Sequence, residues 1–279
     1  PRGRTSGPEP GGARACPGRP PRAREAKCFV MELEDGAYPL LARVSASAER
    51  AESHGDADWV LLVGSKPRGP GMERGDLIRE NGPIFVAEGK AIAQHAAKDA
   101  HVAVVGNPCN TNCLIAIHAA GGALPKQNWS AMTRLDQNRD RSRLAAQAGR
   151  TVKTVRRLGI GARHTTTLYP AATTAPTRTT PTPPGARRPR SPTGPNPLVQ
   201  QRGAAVIAAR GASSAFSAAP AVVDHVKSFL TPTPHEDWFS APVVSAGSYG
   251  LPPGPLPPFP PRPAAPARHR TPGHPPPPP

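Results

Sequence analysis

Trp59-Val60-Leu61-Leu62-Val63-Gly64-Ser65-Lys66-Pro67-Arg68-Gly69-Pro70-Gly71-Met72-Glu73-Arg74 is the stretch that decides the fold. The apolar run 59–63 has the length and composition of a strand buried on both faces of a parallel sheet. Gly64, Pro67, Gly69, Pro70 and Gly71 exclude a helix or a paired strand directly after it. The loop so defined carries two guanidinium groups, Arg68 and Arg74. Arginine holds a planar carboxylate through two parallel hydrogen bonds, so a strand-end loop with two of them suits a small dianion. Taken alone, the pair reads equally as a solvated basic loop.

A second apolar run, His101-Val102-Ala103-Val104-Val105, ends in Gly106-Asn107-Pro108-Cys109-Asn110-Thr111-Asn112. Open α/β sheets bind ligands beyond the carboxyl ends of their strands, which is where this places Asn107. Between the two runs, residues 84–98 hold few breakers, with Ile84, Phe85, Ile92 and Ala96 as apolar positions. The spacing predicts a crossover helix there, and one βαβ unit over 58–107. Thr133-Arg134-Leu135-Asp136-Gln137-Asn138-Arg139 sets an acid and a base three apart, on one face if helical. By itself that is a surface ion pair of small worth. His164 follows in Arg163-His164-Thr165-Thr166-Thr167, and a lone histidine is more often structural than catalytic.

Together these segments resemble the malate dehydrogenases of the lactate/malate dehydrogenase superfamily. "VMELEDGAYPLL", "DWVLLVGSKPRGPGMER", "VAVVGNPCNTN" and "MTRLDQNR" occur in that family's order, and several long motifs in order are far more specific than one short pattern. "VQQRGAAVIAARGASSA" at 199–215 and "VKSFLTPTPHEDWFS" at 226–240 look like a later helix and strand of the family. "MELED" and "TPTP…DWFS" look closest to the chloroplast NADP-dependent branch, whereas "RGAAVIAARGASSA" is shared with NAD-dependent relatives.

The resemblance implies NADP or NAD as cofactor, malate/oxaloacetate as substrates and a homodimer. It implies that Arg68 closes over the distal carboxylate of a dicarboxylic acid, and that Arg74 polarises the reacting carbonyl. Arg139 would grip the adjacent carboxylate, and Asn107 would contact substrate beside the nicotinamide. His164 would be the acid/base, with Asp136 holding its imidazole. Asn81, Glu88, Val105, Gly106 and Asn107 match the nicotinamide side of the cofactor site, Glu88 standing where the family has glutamine. Paired regulatory cysteines of the chloroplast branch are not matched.

Two departures stand beside the resemblance. Gly161-Ala162-Arg163 precedes His164 where the family has Trp-Gly-Asn, and a cation beside the imidazole disfavours imidazolium. No G-x-G-x-x-G occurs; Gly11-Gly12 lies among prolines with no strand before it, so the pyrophosphate half of the site is not found.

The expected architecture is α/β: an incomplete Rossmann-type parallel sheet plus a partial α+β catalytic domain, with long disordered Pro-rich segments. Forty prolines in 279 residues concentrate in three blocks that are too poor in apolar residues to form a core. The expected divisions are 1–27 disordered, 28–118 partial dinucleotide-binding domain and 119–170 first part of the catalytic domain. A Pro/Thr-rich insert (171–198), the second part of the catalytic domain (199–250) and a Pro-rich tail (251–279) follow.

The formal charge of +16 raises nucleic acid as a partner, but only 4% of residues are aromatic and no basic helix or zinc-finger spacing occurs. Nucleic acid and membrane are therefore not expected partners; no apolar run is long enough to span a bilayer. The four cysteines have no histidine cluster to complete a metal site. Asn128-Trp129-Ser130 fits the glycosylation pattern by chance. The chain opens without Met and without a secretory apolar stretch, as a fragment would. The family branch implies the chloroplast stroma, with the cytoplasm as alternative. Two rival readings stay open: an inactive remnant of the family, and a basic, largely disordered nucleic-acid or interaction protein.

Overall fold

The structure is a computed structural model that describes residues 23–67, 72, 74–155, 158–161, 169–171, 201–232, 237, 239–245 and 258–259. Helix α1 (Ala23–Asp35) starts inside the first Pro-rich block, because Ala23-Arg24-Glu25-Ala26-Lys27 is a run of strong helix formers. A short helix α2 (Arg50–His54) leads into β1 (Trp59–Leu62). Helix α3 (Arg74–His95), β2 (His101–Val104), α4 (Cys109–Ala119) and β3 (Trp129–Ala131) follow. The three strands form one parallel sheet in the order β1-β2-β3, with Trp59 opposite His101 and Val102 opposite Trp129.

Among the described residues the apolar run around Trp59 is thus an edge strand, and Leu61 remains 44% exposed while Val60 and Leu62 are buried. The 101–105 run is central and buried as its continuous apolar composition requires. Phe85, Ile92, Val102, Val104, Ala116 and Trp129 share one core beneath α3 and α4.

The crossover helix begins ten residues earlier than expected, at Arg74 instead of Ile84. Pro83 is the reason for the discrepancy: it removes one helical N–H and ordinarily breaks a helix. Here the first half is held by tertiary contacts, with Leu77 buried and the side chain of Asn81 wholly enclosed. Further along, Gly89 lets α3 lie directly on α4. A Cβ there would stand 2.4 Å from the carbonyl oxygen of Ala116.

The second part of the chain contains α5 (Arg134–Gln147), β4 (Gly159–Gly161), β5 (Tyr169–Ala171), α6 (Arg202–Arg210), α7 (Ala218–Leu230), β6 (Ala241–Pro242) and β7 (Pro258–Phe259). Strands β4 and β5 pair antiparallel, as do β6 and β7. Strand β7 lies inside the tail expected to be unstructured. The segment expected as a strand from 226 is helical to Leu230; Val226, Phe229 and Leu230 complete the amphipathic turns of α7, and the strand comes later, at Ala241.

Helix α7 docks on α5 through Arg134–Ser228 (2.9 Å) and Asn138–Asp224 (3.4 Å). It reaches the parallel sheet through His225, whose Nε2 lies 3.0 Å from Ser130 Oγ on β3. Ser130 donates to Val102 O, so it accepts from His225 Nε2–H. Burial pushes the His225 imidazole down to about 3, with Arg134 adding to the effect, so it is neutral. Phe229 meets Trp59, His225 and Phe239 edge-on or tilted, at centroid distances of 6.2, 5.2 and 5.1 Å. Among the described residues no helix is long and apolar enough to cross a membrane.

Candidate active site at the carboxyl edge of the parallel sheet

All three parallel strands run the same way, so the segments after Leu62, Val104 and Ala131 emerge on one edge. The N–H groups of Val105 and Gly106 both donate to Leu62 O, at 2.9 and 3.1 Å. Met132 N donates to Val104 O at 2.9 Å, which carries the edge on to the start of α5. Gly106 is needed here: a Cβ would meet Ser65 Cβ at 2.9 Å and Gly64 O at 3.1 Å. The turn after β2 therefore lies in direct contact with the loop after β1.

Asn107 follows Gly106 and is exposed; its peptide to Pro108 is cis. Asn112, in the first turns of α4, is fully buried and donates from Nδ2 to Gly106 O at 2.9 Å. Asn81 is also fully buried. Its Oδ1 accepts from Lys66 N (2.7 Å), and its Nδ2 donates to Lys66 O (3.2 Å) and Asn107 O (3.4 Å). The side chain of Lys66 pairs with Glu80.

At the third strand end, Asp136 and Arg139 occupy the first two turns of α5 and meet at 2.9 Å. Arg139 Nη2 also donates to Ser214 Oγ at 3.3 Å. Burial pushes the Asp136 carboxyl up, and the Arg139 guanidinium offsets part of that. Beside it, Gln137 is buried and donates to Leu158 O at 2.7 Å, just before β4. Its Oε1 accepts from Ser240 N at 3.2 Å, and Thr133 donates to Ser240 O at 3.1 Å.

Of the residues singled out in the sequence, Val105, Gly106, Asn107, Asp136 and Arg139 thus share this edge. Arg74 starts α3, and its backbone alone is described. Arg68 and His164 lie outside the described residues; His164 belongs to the stretch joining Gly161 of β4 to Tyr169 of β5. Glu88 faces the other way along α3. Its carboxylate binds Arg50 Nε (2.9 Å) and His54 Nε2 (2.8 Å) on α2. Burial raises that carboxyl, but the bonds from His54 and Arg50 outweigh it and hold it below its ordinary value.

Burial pushes Cys109 up to about 12 and Cys113 upward as well, so neither forms a thiolate near neutral pH. No metal-ligand group occurs among the described residues. Asn128 spends its amide on Asp99 O and Ala100 O, and Trp129 is buried, so the glycosylation pattern is closed off. Sequence reading missed Asn112, Gln137, Ser214 and Ser240. Asn112 stands within the quoted "NPCNTN" and Gln137 within "MTRLDQNR", but no local pattern says which backbone groups they meet.

Residues 22–129 match the family described as lactate/malate dehydrogenase, NAD binding domain, and residues 133–260 match its alpha/beta C-terminal domain. A malate dehydrogenase of Magnetococcus marinus is 49% identical over 226 residues, which is 81% of this chain and 68% of that protein. The solved malate dehydrogenase of Naegleria fowleri superposes with a TM-score of 0.75 at 34% identity, covering 91% of this chain and 78% of the other. The lactate dehydrogenase of Trichomonas vaginalis, solved with NADH and oxamate, gives 0.74 at 31% identity, covering 85% and 73%.

Proposed function

This chain belongs to the lactate/malate dehydrogenase family, and we propose that it catalyses reversible hydride transfer between NADP(H) or NAD(H) and the malate/oxaloacetate pair. One observation carries the proposal. Asn107, Asp136 and Arg139 gather at the carboxyl ends of adjacent parallel strands, where open α/β sheets hold their ligands.

The turn fits the nicotinamide half of the cofactor. Gly106 leaves no Cβ to hold the two strand-end loops apart, and the exposed Asn107 amide offers a donor and an acceptor. The bound cofactor supplies the hydride. The chain's own residues orient the substrate and manage its charge and proton. Arg139 grips the carboxylate beside the reacting carbonyl, Arg68 takes the distal carboxylate and Arg74 stabilises the developing oxyanion. His164 delivers the proton to that oxygen, held in its tautomer by Asp136.

A preference for NADP and a plastid stroma location rest on the likeness of "MELED" and "TPTP…DWFS" to the chloroplast branch, with a cytoplasmic NAD-dependent enzyme as the alternative; a homodimer rests on the family resemblance as a whole. Arg163 beside His164 favours a second reading, a member of the family without turnover, because a neighbouring cation disfavours imidazolium.

Oxaloacetate-dependent oxidation of NADPH and of NADH by the purified chain, with Arg68→Gln as control, separates these readings. The dehydrogenase reading expects saturable turnover that the control lowers by about 10²-fold or more in kcat/KM, as loss of a bidentate charged contact does. Turnover with neither cofactor would leave the second reading.

A further inference from the structure

We propose that Cys109 and Cys113 form a two-thiol site for a trivalent arsenic centre, at the start of α4 directly after the Asn107 turn. The inference goes beyond the dehydrogenase reading and does not depend on it.

Both thiols are free, and they stand four residues apart on α4. That spacing puts them on one face of the helix, one turn above the other. Besides burial, Cys109 itself pushes the Cys113 thiol upward, so the two sulfurs are close neighbours. Cβ atoms four apart on a helix are about 5–6 Å from each other. A disulfide needs about 3.5–4.5 Å. The pair is therefore too far apart to close on itself without bending α4, and is spaced for one atom inserted between the sulfurs. A structural zinc ion takes four ligands, and no group of three or more histidine, cysteine, aspartate or glutamate side chains gathers among the described residues.

The surroundings narrow the chemistry further. Cys113 is 0% exposed and belongs to the apolar core, while Cys109 is half-buried. A lone thiolate is disfavoured at both, as the upward shifts of the two thiols show. Monovalent copper on two thiolates would leave a buried negative charge, which an apolar core opposes. The site suits a centre that takes two sulfurs and leaves no net charge.

Arsenous acid does this without an oxidant or a free thiolate. At each thiol, arsenic gains a bond to sulfur and loses a hydroxyl, and the S–H proton leaves with that hydroxyl as water. Two As–S bonds form, two As–O bonds break, arsenic stays trivalent and the product is neutral. The first bond forms at Cys109, the accessible end, whose thiol otherwise faces Asn110 Oδ1 (3.3 Å) and Met132 O (3.7 Å). Cys113 then closes the ring from inside the core. Because the second bond is intramolecular, the pair holds arsenic about 10²-fold or more tighter than either thiol alone.

The test is native mass spectrometry of the whole reduced chain titrated with sodium arsenite under argon. The expected adduct has the mass of arsenous acid less two waters, since a single thiol sheds only one. Cys109→Ser and Cys113→Ala are each expected to lose that adduct and to weaken binding about 10²-fold. Cys16→Ser/Cys28→Ser, which removes the chain's other two thiols, is expected to keep it. Cys109→Ser carries the test even if the space left by Cys113→Ala unsettles the core, because Cys109 lies at the half-buried start of α4. An adduct that survives in either α4 variant, or disappears with Cys16 and Cys28, would overturn the proposal. So would a wild-type chain whose adduct sheds only one water, or one that binds no arsenic.

Discussion

Asp136 and Arg139 lie three residues apart on α5, and their 2.9 Å contact is what the spacing Asp136-Gln137-Asn138-Arg139 requires of a helix. Their neighbour Asp140, one turn beyond Asp136, is different. It is 1% exposed, and its Oδ2 has no hydrogen-bond partner among the described residues. Burial pushes its carboxyl from 3.8 to about 6. The sign follows directly. Between those two values the unfolded chain has already lost the proton that the folded chain keeps, so this residue's contribution to stability falls as pH rises. Above the folded value both states are ionised, and the folded state carries the full cost of a buried charge. Asp140→Asn is therefore expected to stabilise the chain by about 2 kcal/mol at neutral pH. Near pH 3 the effect should vanish. Urea unfolding of both proteins across that range checks it; an equal effect at both pH values would mean that packing, not ionisation, sets the cost. The Asp136–Arg139 contact was legible because an acid and a base three apart on a helix meet through local geometry alone. The resemblance singles out Asn81, but the partners of Asn81 and Gln137 were not legible, since an amide's contacts depend on which backbone groups the fold brings to it: Lys66 and Asn107 for one, Leu158 and Ser240 for the other.

At the scale of elements, β1 and β2 stand where the apolar runs 59–63 and 101–105 placed them. The helix between them shows where sequence reading fails. Gly82-Pro83 looks like a stop, yet α3 passes through it. Leu77 and Asn81 are anchored before Pro83, and Phe85 and Ile92 are buried after it, so packing on both sides outweighs one lost hydrogen bond. The 226–240 stretch fails in the opposite direction, since Val226, Phe229 and Leu230 suit a strand as well as the helix they form. The α3–α4 contact depends on Gly89, whose missing Cβ is the space Ala116 O occupies. Gly89→Leu is expected to destabilise by about 1–3 kcal/mol, the usual cost of overpacking a close contact. Thermal unfolding measures this, and a loss under 0.5 kcal/mol, the usual range of a surface change, would show that the helices separate easily.

At the scale of the molecule, the parallel sheet supplies the Asn107 turn and α5 supplies the Asp136–Arg139 pair. They are held together by β3 running into α5, by His225 on Ser130, and by the Trp59–Phe229–Phe239 cluster. Two strands of the parallel half could be read from sequence because 59–63 and 101–105 are continuous apolar runs separated by a helical pattern, whereas β3, Trp129-Ser130-Ala131, is short and polar at its centre and does not announce itself. The second half pairs short strands across long stretches of chain, such as Ala241 with Phe259, and nothing in two- or three-residue strands announces its partner. Solved lactate and malate dehydrogenases superpose nearly equally well, at TM-scores of 0.74 and 0.75, so the fold does not choose the substrate. The chemistry proposed for the side chains at the carboxyl edge can be followed atom by atom. Reduced cofactor carrying deuterium at the transferring position of nicotinamide C4 is incubated with oxaloacetate and the chain, and the malate is analysed by mass spectrometry. Direct hydride transfer predicts malate with one deuterium, bonded to the former carbonyl carbon, while the proton on its new hydroxyl comes from the protein and solvent. Malate without that deuterium, or no malate with either cofactor, would contradict the account.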